Sequence, residues 1–252
     1  MNTALITGAS SGIGRDIARE LSARGWSLIL TARRRDRLEA LARELHTPCR
    51  ICVCDLSREE EVRALYDDLH TEPVELLVNA AGFGLQGEFL GTDLDRELEM
   101  LRVNLHATHI LTKLFLRDMA ERDHGFILNV ASSAGFMAGP FFSTYYASKN
   151  YVVRLTQAIY EELRIRGSHV SVSCLCPGPV DTEFNRVAGA TFGVKPMSSR
   201  DVARIAVDGT LKKRLTIIPG AGMKLSVLAA RLAPEKLLLR INGRIQKNKG
   251  KK

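Results

Sequence analysis

Short apolar segments alternate with amphipathic helical patterns along almost the whole chain. Parallel strands need a crossover connection of a dozen or more residues, usually a helix, so this alternation predicts a parallel sheet. Right-handed crossovers then favour a single, open, doubly wound α/β fold with helices on both faces of the sheet. Seven strands are predicted, at 3–7, 27–31, 50–54, 75–79, 126–131, 169–175 and 215–218.

The helical patterns between these strands differ in how clearly they begin and end. Helices are predicted at 13–24, 36–45, 143–166 and 199–211, and a long helical stretch covers about 94–121 with a break near Asn104. Ser57 to Glu60 resembles a capping box, which predicts a helix from there to about Leu69. Residues 181–197 show no periodicity and are expected to form a loop or a small helical insertion.

Size and charge limit the organisation of the chain and its partners. Its 252 residues fit one large domain at roughly 100–200 residues per domain. We therefore predict one domain over 1–220, with 221–252 as a basic amphipathic extension packed on or appended to it. The net charge of +8 suits anionic small molecules, nucleic acid or anionic membrane. No groove-reading motif and no interleaving of aromatic and basic residues occurs, so nucleic-acid binding is not expected.

The five cysteines are predicted to be free thiols. No secretory signal precedes the first predicted strand, which favours a reducing, cytoplasmic location. The two Cys-x-Cys pairs, ending at Cys54 and Cys176, belong to strands expected to lie far apart in the sheet. They are interpreted as small buried apolar residues, and no metal site is predicted. No apolar run reaches the roughly 18 residues of a membrane span.

The connection between the first strand and the first helix is rich in glycine. Gly8, Gly12 and Gly14 remove side chains where a phosphate group would approach the backbone. The helix that follows offers free N–H groups and the positive end of its dipole, which together bind anions. The spacing G-x3-G-x-G differs from the general fingerprint G-x-G-x-x-G, but its place in the first βαβ unit predicts a dinucleotide phosphate site.

The segment from Thr7 to Gly14 resembles the Thr-Gly-x-x-x-Gly-x-Gly loop of the short-chain dehydrogenase/reductase family, and further motifs follow in the family's order over about 3–220. Residues 79–82 are similar to its Asn-Asn-Ala-Gly, with Ala80 replacing the second Asn, and residues 177–182 are similar to its Pro-Gly motif. The resemblance implies a Rossmann-type catalytic domain that binds a nicotinamide dinucleotide. The cofactor-binding residues that it implies are Gly8, Ser10, Ser11, Gly12, Ile13, Gly14, Asp55, Leu56, Asn79, Ala80, Ala81, Gly82, Tyr145, Lys149, Pro177, Gly178, Val180 and Thr182.

The end of the second predicted strand indicates which dinucleotide is bound. An acid at this place bonds the ribose 2′-hydroxyl of NAD, whereas a basic residue accommodates the 2′-phosphate of NADP. Ala32 stands where NAD-dependent members of the family carry Asp, and Arg33 follows it. A guanidinium can bind phosphate through two hydrogen bonds, so we expect NADP(H), with Arg33 on the 2′-phosphate and Arg34 or Arg37 assisting. The alternative is that these arginines are the solvated start of a helix.

Tyr145 and Lys149 have the i, i+4 spacing that places two side chains on one face of a helix. A nearby ammonium should lower the pKa of a tyrosine toward the range that is useful in general acid/base catalysis. Tyr146 has no lysine four residues further on, so the spacing selects Tyr145.

The resemblance implies two further catalytic residues and a reaction. Ser132 matches the family's catalytic serine better than Ser133 does, and Asn104 matches its fourth catalytic residue. Hydride would pass between NADP(H) and a carbonyl or secondary alcohol, with Tyr145 as general acid/base. Ser132 would stabilise the carbonyl oxygen, and Lys149 would bind the nicotinamide ribose. Asn104 would hold a water. The alternatives are an NAD-dependent alcohol dehydrogenase and a non-catalytic dinucleotide sensor or scaffold.

The substrate and the C-terminal extension are less constrained. Segments 83–85, 136–142 and 184–197 are rich in Phe, Met and Leu, which predicts either a pocket for a lipophilic carbonyl compound or packing in a core or dimer. Residues 223–245 form a basic amphipathic stretch broken at Pro234, which either contacts an anionic membrane peripherally or packs on its own domain or a partner subunit. The resemblance implies a homodimer or homotetramer, paired through helices near 105–121 and 144–166.

Overall fold

In the computed structural model, which describes residues 2–189 and 195–249, strands and helices alternate. The strands are β1 (Thr3–Thr7), β2 (Ser27–Ala32), β3 (Cys49–Val53), β4 (Val74–Asn79), β5 (Phe126–Val130), β6 (Ser171–Leu175), β7 (Val180–Asp181), β8 (Met197–Ser198) and β9 (Thr216–Ile217). The helices are α1 (Gly12–Ala23), α2 (Arg35–Glu44), α3 (Glu59–Leu69), α4 (Leu94–Leu101), α5 (Thr108–Glu121), α6 (Ser143–Ile165), α7 (Phe184–Ala188), α8 (Ser199–Leu211), α9 (Ala221–Leu232) and α10 (Glu235–Lys249).

Seven of the strands form one parallel sheet in the order β3-β2-β1-β4-β5-β6-β9, which confirms the predicted fold class. The order reverses between β1 and β4. In an open sheet, ligands bind outside the carboxyl ends of the strands at such a reversal. The loops that follow β1, β4 and β5 are therefore where a site is expected.

The central strands of the sheet are buried on both faces, which explains why they are mainly apolar, whereas the edge strand β3 is partly exposed. Successive side chains of β1 point to opposite faces. Ala4 and Ile6 belong to the core formed with α1, α2 and α8, whereas Leu5 belongs to the core formed with α3, α5 and α6. Phe115 of α5, fully buried, is the largest side chain of this second core.

Three expectations for individual elements had different outcomes. The capping box at Ser57 is wrong: the N-cap of α3 is Arg58, and the Ser57 amide and hydroxyl donate to the Asp55 carboxylate at 3.0 and 2.8 Å. The predicted break near Asn104 is a π-helical turn, Arg102–Ala107, between α4 and α5. Pro234 separates α9 from α10, as predicted.

The five cysteines are free, as predicted. Cys54 follows β3 and Cys174 lies in β6, at distant places in the sheet. Over the described ranges, no group of three or more His, Cys, Asp or Glu is placed to hold a metal ion. Across those same residues, no helix has the length and apolar character needed to cross a bilayer. Residues 190–194 of the predicted insertion, and the lysines at 251 and 252, lie outside the described residues.

Candidate active site

A cavity of about 490 Å³ lies beyond the carboxyl ends of the central strands. This volume is within the range of roughly 300–1,000 Å³ that small-molecule sites usually have. All the residues predicted to bind the dinucleotide line it, except Asn79. Ser132 also lines it, whereas Asn104 does not. The topology thus brings segments from between residues 8 and 182 together around one cavity.

The glycine loop after β1 is shaped by close backbone contacts. Gly8 and Gly12 have φ values of +67° and +56°, which disfavour any residue with a side chain. A Cβ on Gly8 would lie 2.8 Å from the Ala81 backbone, and one on Gly14 would lie 2.6 Å from the Gly8 carbonyl oxygen. The side chain of the N-cap residue Ser11 makes no capping bond. The first N–H groups of α1 are therefore free for an anion, which fits a pyrophosphate.

The arginines after β2 lie at the edge of this loop. The Arg34 guanidinium donates to the hydroxyl groups of Ser10 and Ser11 at 3.0 and 3.3 Å. Arg33 also lines the cavity, with its guanidinium 3.2 Å from a Glu99 carboxylate oxygen. Both arginines thus line the cavity, but only the Arg34 guanidinium contacts the glycine loop.

Arg37, the third arginine considered, does not line the cavity. Its guanidinium binds both carboxylate oxygens of Glu183, at 2.8 and 2.9 Å. Glu183 also accepts a hydrogen bond from Arg34 at 3.3 Å. The hydrogen bond from Arg37 is the main reason that the pKa of Glu183 lies below its ordinary value. Glu183 therefore stays ionised at neutral pH and fixes these arginines at the rim.

Tyr145 and Ser132 both line the cavity wall. Burial raises the pKa of Tyr145 well above its usual value, and the nearby Ser132 hydroxyl offsets only part of this increase. The expected lowering by Lys149 is absent, because its ammonium donates to the Val130 carbonyl oxygen at 3.0 Å and lies 5.9 Å from the Tyr145 ring centre. Tyr145 is therefore a protonated phenol at neutral pH.

Lys149 is a buried cation. Only 5 % of it is exposed, and this burial lowers its pKa to about 8. The i, i+4 spacing does place Lys149 one turn after Tyr145 on α6. It also brings the ammonium near Gly82: a Cβ on Gly82 would lie 3.3 Å from the Lys149 Nζ. Lys149 thus lies between the loop after β4 and the end of β5.

Asn104 lies behind the cavity wall, in the π-helical turn. Its side-chain oxygen accepts from the Phe83 amide at 3.0 Å, and its nitrogen donates to the Phe83 carbonyl oxygen at 2.9 Å. The same nitrogen donates to the Ser148 hydroxyl at 3.2 Å. Asn104 therefore holds the loop after β4 against α6, next to Lys149.

Asn79 points away from the cavity, into the layer between the sheet and α5. Its amide donates to Thr112 and Asn129 at 3.0 and 2.8 Å, and Asn129 donates to Thr156 of α6. The hydroxyl of Thr7 instead organises the following loop, because it accepts from the Ala80 and Ala81 amides at 3.1 and 3.3 Å. The sequence did not indicate this role for Thr7, although Thr7 belongs to the glycine motif.

The end of the cavity beyond Tyr145 is aromatic. Its walls include Phe83, Phe142 and Phe184. The Phe142 and Phe184 rings pack on Tyr145 at centroid distances of 4.9 and 5.3 Å. Gln246, from α10, also lines the cavity, and its side-chain nitrogen donates to the Tyr146 hydroxyl at 2.6 Å. Sequence inspection missed Gln246, because nothing local connects it with a residue 100 positions away.

Comparison with known proteins agrees with this geometry. The family model of the short chain dehydrogenases matches residues 2–191. Estradiol 17-beta-dehydrogenase 11 of Mus musculus is 31 % identical over 247 residues, covering 96 % of this chain and 83 % of the mouse protein. A short-chain dehydrogenase from Sphingobium yanoikuyae in complex with NADPH superposes with a TM-score of 0.83 at 29 % identity, covering 90 % of this chain and 92 % of that one. One from Burkholderia phymatum in complex with NAD gives 0.82 at 26 % identity, with the same coverage.

The chain belongs to the short-chain dehydrogenase/reductase family. It is an oxidoreductase with a Rossmann-type fold, and the family's structures bind nicotinamide dinucleotides. The alternative of a non-catalytic sensor or scaffold is not favoured by these matches.

Proposed function

We propose that this oxidoreductase reduces the carbonyl group of lipophilic compounds, with NADPH as its cofactor. The observation that carries the proposal is that Tyr145 and Ser132 line the same cavity as the glycine loop and the aromatic side chains packed on Tyr145. The aromatic walls at one end of the cavity suit a lipophilic ligand. A tyrosine whose pKa is raised by burial holds its proton at neutral pH, which suits donation to a carbonyl oxygen.

Each residue then has a defined part. When bound, the dinucleotide supplies or accepts the hydride. The free N–H groups at the start of α1 would hold its pyrophosphate. The Tyr145 hydroxyl protonates the carbonyl oxygen of the substrate, and the Ser132 hydroxyl stabilises the negative charge that develops on that oxygen. Lys149 would bind the nicotinamide ribose through its buried ammonium group. Asn104 positions the loop beside Lys149.

The test of the chemistry is Tyr145→Phe. Loss of the proton donor should lower NADPH oxidation with an aromatic or long-chain ketone by roughly a thousandfold. The affinity for NADPH, followed by its fluorescence, should stay within about twofold, because the phenol makes only a small part of the dinucleotide site. Tyr146→Phe is the matched control and should retain most of the activity. Substantial turnover by the Tyr145 variant would refute the assignment.

The cofactor preference is tested at the arginines. Removal of a charge-assisted phosphate contact should cost about 1.5–3 kcal/mol, so Arg33→Ala and Arg34→Ala should each weaken NADPH binding by roughly 10- to 100-fold. NADH binding should change little. Arg35→Ala is the control, because Arg35 does not line the cavity and lies near Glu39 of its own helix. Equal losses for both dinucleotides would contradict a 2′-phosphate contact.

A cytoplasmic location and a homodimer or homotetramer through α5 and α6 are proposals that rest on the family resemblance. The two helices are joined at their surface, where the His109 ring nitrogen and the Tyr151 hydroxyl are 2.6 Å apart. This contact supports a rigid surface formed by α5 and α6, which an interface between subunits would require.

A further inference from the structure

Helix α10 exposes apolar residues and buries amides. Leu237, Ile241 and Ile245 recur every four residues and form one stripe, with between 45 and 51 % of each residue exposed. Next to this stripe around the helix, Asn242 and Gln246 are only 7 % and 5 % exposed. Helices on the surface of globular proteins normally bury the apolar side. An exposed apolar stripe therefore needs an explanation other than packing on this domain.

Polar bonds hold α10 in this orientation. The Asn242 side chain donates to the Ala138 carbonyl oxygen at 2.6 Å, and the Gln246 side chain donates to the Tyr146 hydroxyl at 2.6 Å. The Gln86 side chain donates to the Gln246 carbonyl oxygen at 3.4 Å. The exposed stripe is thus the outer side of a helix that is attached at several points.

Helix α9 repeats this arrangement. Leu225, Leu228 and Leu232 have the i, i+3, i+7 spacing of one helix face, and between 53 and 78 % of each residue is exposed. Val227, on the other side, is 3 % exposed and packs in a core with Phe136. Together, the two helices present six exposed aliphatic side chains. We call these six residues the α9–α10 apolar stripe.

A basic residue directly precedes five of these six aliphatic residues in the chain. The pairs are Lys224-Leu225, Arg231-Leu232, Lys236-Leu237, Arg240-Ile241 and Arg244-Ile245. All five cations are exposed, and Arg231 stacks over the Phe136 ring at 4.9 Å. Glu235 is the only acidic residue in the sequence from 221 to 249. In the described part of the chain, none of the five cations forms an ion pair.

The combination of positive charge and exposed apolar side chains indicates which partner binds to the α9–α10 apolar stripe. A second copy of the chain on this stripe would bring five cations against five like charges. An anionic lipid surface instead accepts aliphatic side chains between its headgroups and attracts each flanking cation. We propose that α9 and α10 form a surface that binds the face of an anionic phospholipid bilayer. The proposal does not depend on the reaction catalysed.

Co-sedimentation of the full-length protein with vesicles tests this surface. Phosphatidylcholine vesicles containing phosphatidylserine should retain the protein, and pure phosphatidylcholine vesicles should not. A basic residue near an anionic membrane contributes about 1 kcal/mol, so Arg240→Gln with Arg244→Gln should weaken binding by about 30-fold. Ile241→Ser with Ile245→Ser should also weaken it. Both double variants should keep the circular dichroism spectrum of the parent, since all four side chains are exposed.

The matched control removes two exposed cations elsewhere. Arg200→Gln with Lys212→Gln changes the net charge equally at α8 and should leave vesicle binding within about twofold. The absence of binding to anionic vesicles would overturn the proposal, and so would equal losses in the control and the Arg240/Arg244 variant. Light scattering in the absence of lipid tests the alternative that a second copy of the chain binds to the stripe. If the double variant Ile241→Ser with Ile245→Ser has a lower oligomeric mass than the parent protein, the stripe is a contact between copies and the proposal fails.

Discussion

The burial of Lys149 links the chemistry of one residue to the stability of the whole fold. Its ordinary pKa of 10.5 falls to about 8, because burial disfavours the ammonium. Between these two pH values the unfolded chain binds more protons than the folded protein. The free energy of unfolding therefore rises with pH across this window, and at pH 7 the charged lysine reduces the stability. Functional sites often carry such a cost.

We therefore expect Lys149→Met to abolish activity but to stabilise the dinucleotide-free protein at pH 7 by about 2 kcal/mol. The pKa shift corresponds to about 3 kcal/mol, and the unpaired Val130 carbonyl oxygen offsets about 1 kcal/mol of it. Urea unfolding at several pH values measures the difference. The advantage of the variant should shrink as the pH rises from 8 to 10.5. A variant that is less stable at pH 7, or a difference that does not depend on pH, would show that the ammonium is not disfavoured by burial.

At the scale of elements, the π-helical turn Arg102–Ala107 is the segment whose irregularity serves the site. A π-helical turn inside an α-helix is rare and often occurs at functional sites. Here it places Asn104 where the side chain satisfies both the amide and the carbonyl of Phe83. The loop after β4, which lines the cavity, is thereby attached to α6 through Ser148.

Asn104→Ala should destabilise the protein by about 2 kcal/mol, because it leaves the buried polar groups of Phe83 without these partners. The loop at Gly82 should then move more freely, which should lower kcat/KM by at least about tenfold. Urea unfolding and steady-state kinetics measure the two effects. Unchanged stability together with lost activity would show that Asn104 acts only in the reaction and not as a support for the loop.

For the whole molecule, the positive charge is concentrated at two places with different uses. Arg33 and Arg34 line the cavity that contains the glycine loop, where positive charge suits a phosphate. The cations of α9 and α10 instead flank the α9–α10 apolar stripe, where charge suits a lipid surface. The net charge of +8 allowed anionic small molecules, nucleic acid or membrane. Only the positions of the cations in the folded chain distinguish these partners.

Local patterns in the sequence determined the parallel sheet, the order of its elements, the glycine loop and the pairing of Tyr145 with Lys149 on one helix. These features depend on residues a few positions apart, so periodicity and spacing are enough to predict them. Other features depend on contacts between distant segments or on the exclusion of water, and these were set only by the tertiary structure. It raised the pKa of Tyr145, turned Asn79 away from the cavity and set Gln246 against Tyr146. It also left Leu237, Ile241 and Ile245 of α10 exposed, while Asn242 and Gln246 of the same helix donate hydrogen bonds to Ala138 and Tyr146.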